Sequence, residues 1–252
     1  MVAAMLEDNR PVRVAVVDYG LGNLFSVKHA CERVGMQVTV TSAKQEILAA
    51  DGVLLPGVGA FGDAMQCLER LQLVEVLREA ALIGKPVVGI CLGMQLLMSE
   101  SQEFGRHRGL NILEGDVVRF EQPQGPRGTL KVPQVGWNRV YRPAATAGDA
   151  WQGTPLEVLN DGTSMYFVHS FYVRPVQSDA VLALTRYGDV EFCSSVRRGN
   201  VLGFQFHPER SGHAGLRLYC ANRRVYSQSP TFRRSPSCRM RSSKRFMVCR
   251  KT

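Results

Sequence analysis

Residues 85–98, KPVVGICLGMQLLM, constrain what this chain can fold into more than any other stretch. Val87, Val88 and Ile90 suit a buried strand, while Met94, Leu96, Leu97 and Met98 suit a helix running to about Ser101, so Cys91 falls where strand becomes helix. Gly89 and Gly93, two residues to either side of it, leave room for a sharp, crowded turn. The spacing is that of a nucleophile elbow, with sulfur in place of a hydroxyl. A thiol held at a helix N-terminus ionises more readily, because the helix dipole favours the thiolate. The same residues also suit a cysteine simply buried at a tight turn.

Upstream, VRVAVVD at 12–18 is a nearly continuous apolar run, as expected of a strand covered on both faces of a parallel sheet. YGLGN at 19–23 turns into a helix from Leu24 to about Val34. Val38 and Val40, then Val53 to Leu55, supply two more short strands, with a helical segment from Lys44 to Ala49 between them. LLPGVGAFGDAM at 54–65 runs from strand through a Pro/Gly loop into a helical pattern from Asp63 to Leu82. Gly57 and Gly59 allow backbone amides to approach a ligand closely, although a plain strand-to-helix turn has the same composition. In doubly wound folds such loops, at the carboxyl ends of neighbouring strands, share one crevice.

Beyond Ser101 the chain changes character. GLNILEGDVVRF, TLKVPQVGWNRVY and SMYFVHSFYV alternate strand-like segments with turn residues, and 142–164 is the polar stretch least suited to regular structure. AVLALTRYGD, VEFCSSVRRGN and VLGFQFHPERS read as three strands joined at Gly188-Asp189 and Gly199-Asn200. The expectation is a single α/β domain, with a mostly parallel central sheet flanked by helices and an added antiparallel strand region.

The net charge of +9 suggests nucleic acid until it is located. Ten basic residues and no acidic one lie in 221–252, which leaves residues 1–220 at −1. A basic, Ser-rich terminal run reads first as a disordered tail, so the folded domain is expected over 1–220 and no nucleic-acid role follows from charge. No stretch of about 18 apolar residues is present, and the N-terminus lacks the order of a signal peptide, so no membrane association and a cytoplasmic location are expected. The seven cysteines form no CxxC pair, which argues against a disulfide scaffold and a zinc site. No metal or cofactor is called for.

A thiolate nucleophile needs a base and a group to orient that base. In VLGFQFHPE, Pro208 keeps His207 extended, and side chains two apart on an extended segment share a face, so Glu209 is placed to reach the imidazole. A bare His-x-Glu is also compatible with a strand-end histidine and a surface glutamate. His169, among aromatics in YFVHSFYV, is the rival base, but no carboxylate is adjacent and a buried or pocket-lining role fits it better.

LLPGVGAFGDAM, GICLGMQLLMSE and GFQFHPERSG together resemble the class I glutamine amidotransferases. Within that family VVDYGLGNLFSV, KVPQVGWNRV and MYFVHSFYV are similar to the glutaminase subunits of imidazole glycerol phosphate synthases, over about Val12 to Leu218. The resemblance implies Cys91 as nucleophile, His207 as base and acid, and Glu209 as its orienter. It implies oxyanion donors at the backbone of Leu92 and Val58, and glutamine contacts at Gly57, Gly59, Gln95, His169 and Ser170. It implies a heterodimer with a cyclase that uses the ammonia to make imidazole glycerol phosphate and the purine precursor AICAR, with Asn23, Trp137, Asn138 and Arg210 near the interface. The chain departs from the family after SGHAGLRLY, where a closing helix is expected but CANRRVYSQSPTFRRSPSCRM does not continue its pattern, which suggests an atypical or frame-altered tail over 221–252.

Overall fold

A computed structural model describes residues 10–144 and 150–230. Strand β1 (Val12–Val17) leads to α1 (Leu24–Arg33), β2 (Met36–Thr41), α2 (Lys44–Ala49) and β3 (Gly52–Gly57). Then come α3 (Phe61–Arg70), α4 (Leu73–Leu82), β4 (Val87–Cys91) and α5 (Leu92–Leu96). The strand-rich half comprises β5 (Glu100–Ser101), β6 (His107–Arg108), β7 (Gly115–Arg119), β8 (Gln124–Gly125), β9 (Gly128–Thr129), β10 (Gln134–Val140), β11 (Thr163–His169), β12 (Phe171–Pro175), β13 (Val181–Tyr187), β14 (Val190–Arg198) and β15 (Val201–Phe204). Helix α6 (Gly212–Ser227) follows.

One large sheet runs β2-β1-β3-β4-β15-β14-β12-β7-β5-β6, with β13 paired to β14. The first five strands are mutually parallel, and β15 to β7 continue antiparallel, so the expected combination of a parallel core and an antiparallel extension is present. Strands β1, β3 and β4 are buried almost throughout because both faces are covered, which is why their sequences are apolar without alternation. Two apolar clusters, one on each face, contain Leu55, Leu77 and Met98 and, opposite, Val16, Ile90 and Phe206. The pair β10-β11 forms a separate antiparallel ribbon.

Three expectations change. The helical pattern over 63–82 is two helices, because Gln72 takes a left-handed φ of 56° and turns the chain between α3 and α4. Helix α5 stops at Leu96 rather than near Ser101. The carbonyls of Leu96, Leu97 and Met98 instead accept from the amides of Leu110, Ile112, Leu113 and Asn111, so tertiary hydrogen bonds override the local apolar periodicity. The closing helix α6 continues past the expected boundary at 220 to Ser227, and it buries Ala221, Asn222 and Tyr226. The remainder of the expected tail, 231–252, lies outside the described residues, as do 145–149 of the irregular stretch.

Candidate active site

The elbow is assembled by packing. Cys91 ends β4 and caps α5 with φ 54° and ψ −111°, a conformation that non-glycine residues reach at a cost of about 1–3 kcal/mol. The flanking glycines make it possible. A Cβ on Gly93 would lie 1.7 Å from the Leu55 carbonyl oxygen, and one on Gly89 would lie 2.6 Å from that of Gly93. Strands β3 and β4 pair Gly57 with Cys91, so the Pro/Gly loop leaves the sheet beside the thiol.

On the other side of β4, β15 runs parallel to it and pairs Phe204 with Ile90. The chain beyond Phe204 therefore arrives next to Cys91. His207 is extended, with φ −102° and ψ 95°, as its following proline requires. The extended segment ends there, and residues 208–210 make a 3-10 turn that brings Glu209 back onto the ring. Glu209 Oε1 and His207 Nδ1 are 2.7 Å apart, with both side chains closed to solvent. Ser211 locks this turn in place, donating from its hydroxyl to the His207 carbonyl at 2.7 Å and accepting from the Tyr166 amide at 3.0 Å.

His207 Nε2 is buried, has no hydrogen-bond partner of good geometry among the described residues, and lies within the field of the Cys91 sulfur. Burial favours the neutral ring, but the Cys91 charge and thiol, together with the Glu209 carboxylate, outweigh it and push the imidazolium pKa up to about 10. The thiol donates to the Val168 carbonyl at 3.7 Å, and the Gln205 side-chain nitrogen approaches the sulfur at 3.6 Å.

A cavity of about 260 Å³ opens on Cys91. Its walls include Val58, Gly59, Leu92, Gln95, Glu103, His169 and Ser170. Leu92 is the first residue of α5, where an amide has no partner within its own helix. Gln95 is buried rather than a helix-surface residue, and its side-chain nitrogen donates to the Phe171 carbonyl at 2.9 Å and to Gln205 Oε1 at 3.1 Å. His169 donates from Nδ1 to the Phe171 carbonyl at 2.8 Å, among the rings of Phe120, Phe167 and Phe192. Burial holds its pKa down at about 4, so at neutral pH it stands uncharged on the cavity wall. Gly57 is not among the residues that line this cavity. A Cβ there would meet the Tyr19 hydroxyl at 2.4 Å, so close packing of the elbow accounts for this glycine.

The four expected interface residues divide. Trp137 stands 60% exposed, edge-on to Tyr166, and the Arg210 guanidinium lies over the Tyr166 ring at 4.4 Å. Asn23 caps α1 by accepting from the Ser26 amide, and Asn138 donates to the Arg186 carbonyl, so both have structural work.

Gln205, Ser211 and Glu103 were not singled out by sequence reasoning. Gln205 shares its strand face with His207 at a spacing of two, a signal that was available. Glu103 gave none. It reaches the site because its Oε2 accepts from the Phe61 amide at 2.6 Å, 42 residues away.

The Glutamine amidotransferase class-I family model matches residues 15–223. The imidazole glycerol phosphate synthase subunit HisH of Moorella thermoacetica is 48% identical over 205 residues, covering 81% of this chain and 91% of the relative. That of Aquifex aeolicus is 46% identical over 208 residues, covering 82% and 94%. Among solved structures, a glutamine amidotransferase superposes with TM-score 0.64 at 21% identity over 85% of this chain and 98% of its own. The glutaminase domain of Trypanosoma brucei CTPS, with bound acivicin, gives 0.59 at 17% over 86% and 94%. At such identities these two speak for the fold alone. With a family model spanning most of the chain and relatives near half identity, the chain belongs to the class I glutamine amidotransferases, in the branch of the imidazole glycerol phosphate synthase subunit HisH.

Proposed function

We propose that this chain hydrolyses glutamine to glutamate and ammonia and passes the ammonia to a cyclase subunit, which builds imidazole glycerol phosphate and AICAR in histidine biosynthesis. The observation that carries the reading is the buried His207-Glu209 pair beside a strained Cys91 at the mouth of a small cavity. That cavity lies below the ~300 Å³ at which drug-sized pockets begin, a size suited to a single amino acid.

Cys91 attacks the side-chain amide carbon of glutamine as the thiolate, its proton held on His207 Nε2, and the developing oxyanion is received by the backbone amides of Leu92 and Val58. The raised pKa of His207 keeps its Nε2 protonated near neutrality, ready to give that proton to the departing ammonia. Water then attacks the thioester, His207 takes up its proton, and glutamate leaves with the Cys91 thiolate and His207 imidazolium restored. Glu209 holds the ring in the tautomer and orientation that both steps need. Glu103, the one carboxylate on the cavity wall among the described residues, is suited to the α-ammonium of glutamine. Gly59, Gln95, His169 and Ser170 shape the rest of the site.

Ammonia released into water near neutral pH is protonated and lost as a nucleophile, which favours making it beside its consumer. The exposed Trp137 and Arg210 around Tyr166 have the composition of an interface anchor and support docking of the cyclase there. A cytoplasmic location follows from the need to keep Cys91 reduced. Glutamate production should be assayed with and without the cyclase and its phosphorylated ribulosyl formimino substrate. A large rate increase on adding both, abolished by Cys91→Ala, is the expected result; turnover retained in Cys91→Ala overturns the reading.

A further inference from the structure

Behind the candidate triad, on the side away from the cavity, α6 turns an unusual face inward. Tyr219, Asn222 and Tyr226, at helical spacing, are buried, and the Tyr219 hydroxyl, Asn222 Oδ1 and the Tyr226 hydroxyl lack hydrogen-bond partners among the described residues. Glu209 is in the same position. One oxygen is held by His207, while Oε2 is shut from solvent and has no partner. A buried carboxylate oxygen without a donor is costly, and so is a buried hydroxyl.

The two orphans lie on elements that pack directly against each other. Helix α6 sits directly on the turn that carries Glu209, so tightly that a Cβ on Gly215 would fall 1.8 Å from the Pro208 carbonyl oxygen. Tyr219, one turn further along α6, lies within the electrostatic field of Glu209, whereas Tyr226 senses Cys31 and not Glu209. Cys31 of α1 is buried nearby, and a thiol is only a weak donor. Among the described residues nothing donates to Oε2, and a phenolic hydroxyl is a strong neutral donor.

We propose that Tyr219 is a positioning residue of the glutaminase: its hydroxyl serves Glu209 Oε2 and thereby fixes the carboxylate that orients His207. Because Tyr219 touches neither the cavity nor Cys91, its effect should fall on the chemical steps and spare glutamine binding. The inference rests on the triad reading above.

The test is a kinetic cycle in the full chain with its cyclase present. Tyr219→Phe keeps the ring packing and removes only the hydroxyl. It should lower kcat for glutamine about tenfold, the scale of one hydrogen bond to a charged group, with KM unchanged. In a Glu209→Gln background the same change should cost nothing further, because the group it serves is no longer a carboxylate. Tyr226→Phe removes an equally buried hydroxyl from the same helix face and should leave kcat unaltered. Unchanged kcat in Tyr219→Phe overturns the proposal, as does an equal loss in both backgrounds or an equal loss in Tyr226→Phe. Wild-type protein that makes no glutamate with the cyclase fails the triad reading instead, which keeps the two failures apart.

Discussion

Glu209 Oε1 stands 2.7 Å from His207 Nδ1, and both side chains are almost wholly buried. The carboxylate is one of the forces that raise His207 to about 10, so removing its charge must lower that value. In Glu209→Gln the imidazolium is therefore lost at lower pH, and the basic limb of the kcat profile moves toward neutrality. General acid-base catalysis typically contributes about 10²–10⁴-fold, and a loss of about 10²-fold in kcat at neutral pH is expected. A pH-rate series on both proteins checks it; a basic limb that stays in place counts against the assignment.

The elbow makes a prediction about stability that is separate from activity. Cys91→Ala and Cys91→Gly both lose the thiol and should both be inactive. Only glycine escapes the strain of φ 54°. The glycine variant should be more stable than the alanine variant by about 1 kcal/mol, read from urea midpoints, after its own entropic cost is set against the strain removed.

Gly93→Ala should behave in the opposite way. The added methyl would meet the Leu55 carbonyl at 1.7 Å, backbone against backbone, with no side chain able to move aside. The expected cost is ~3 kcal/mol or more, seen as a large fall in melting temperature or as loss of soluble protein.

His169 gives the fold an acid-sensitive point. Its folded pKa of about 4 lies below the ~6.5 of an exposed histidine, so the unfolded chain binds the extra proton first. Stability is intact above pH ~6.5, falls as pH drops toward 4, and levels off below it. The contribution is on the order of 3 kcal/mol. Urea unfolding between pH 7 and 4 should show this slope, and His169→Gln should flatten it.

Helix α6 predicts where the chain can be cut. A chain ending at Tyr219 loses Tyr226, which is fully buried and packs its ring onto Gly52. It should melt well below a chain ending at Pro230, by an amount in the ~3–5 kcal/mol range of large aromatic truncations.

The parts of the site that could be read from the sequence were those built from local geometry. Cys91 between two glycines and His207 before a proline announce their backbone conformations within a few residues. The apolar runs of β1, β3 and β4 likewise announce a sheet covered on both faces. What could not be read depended on distant partners. Glu103 reaches the cavity only because the Phe61 amide holds it, and α5 ends early only because the 110–113 segment claims its carbonyls. Gly57 shows the converse. Its type suits a ligand loop, and it also leaves room for the Tyr19 hydroxyl, a packing need that the sequence does not announce.

The pairing of β15 beside β4 has a consequence for how the protein comes into being. His207 follows Cys91 by 116 residues, and it arrives only when the last parallel strand slides in next to the first half of the sheet. During synthesis the thiol is therefore made long before the residue proposed as its base. On the proposed reading, amide cleavage has to wait until the chain extends 116 residues past the cysteine and β15 pairs with β4.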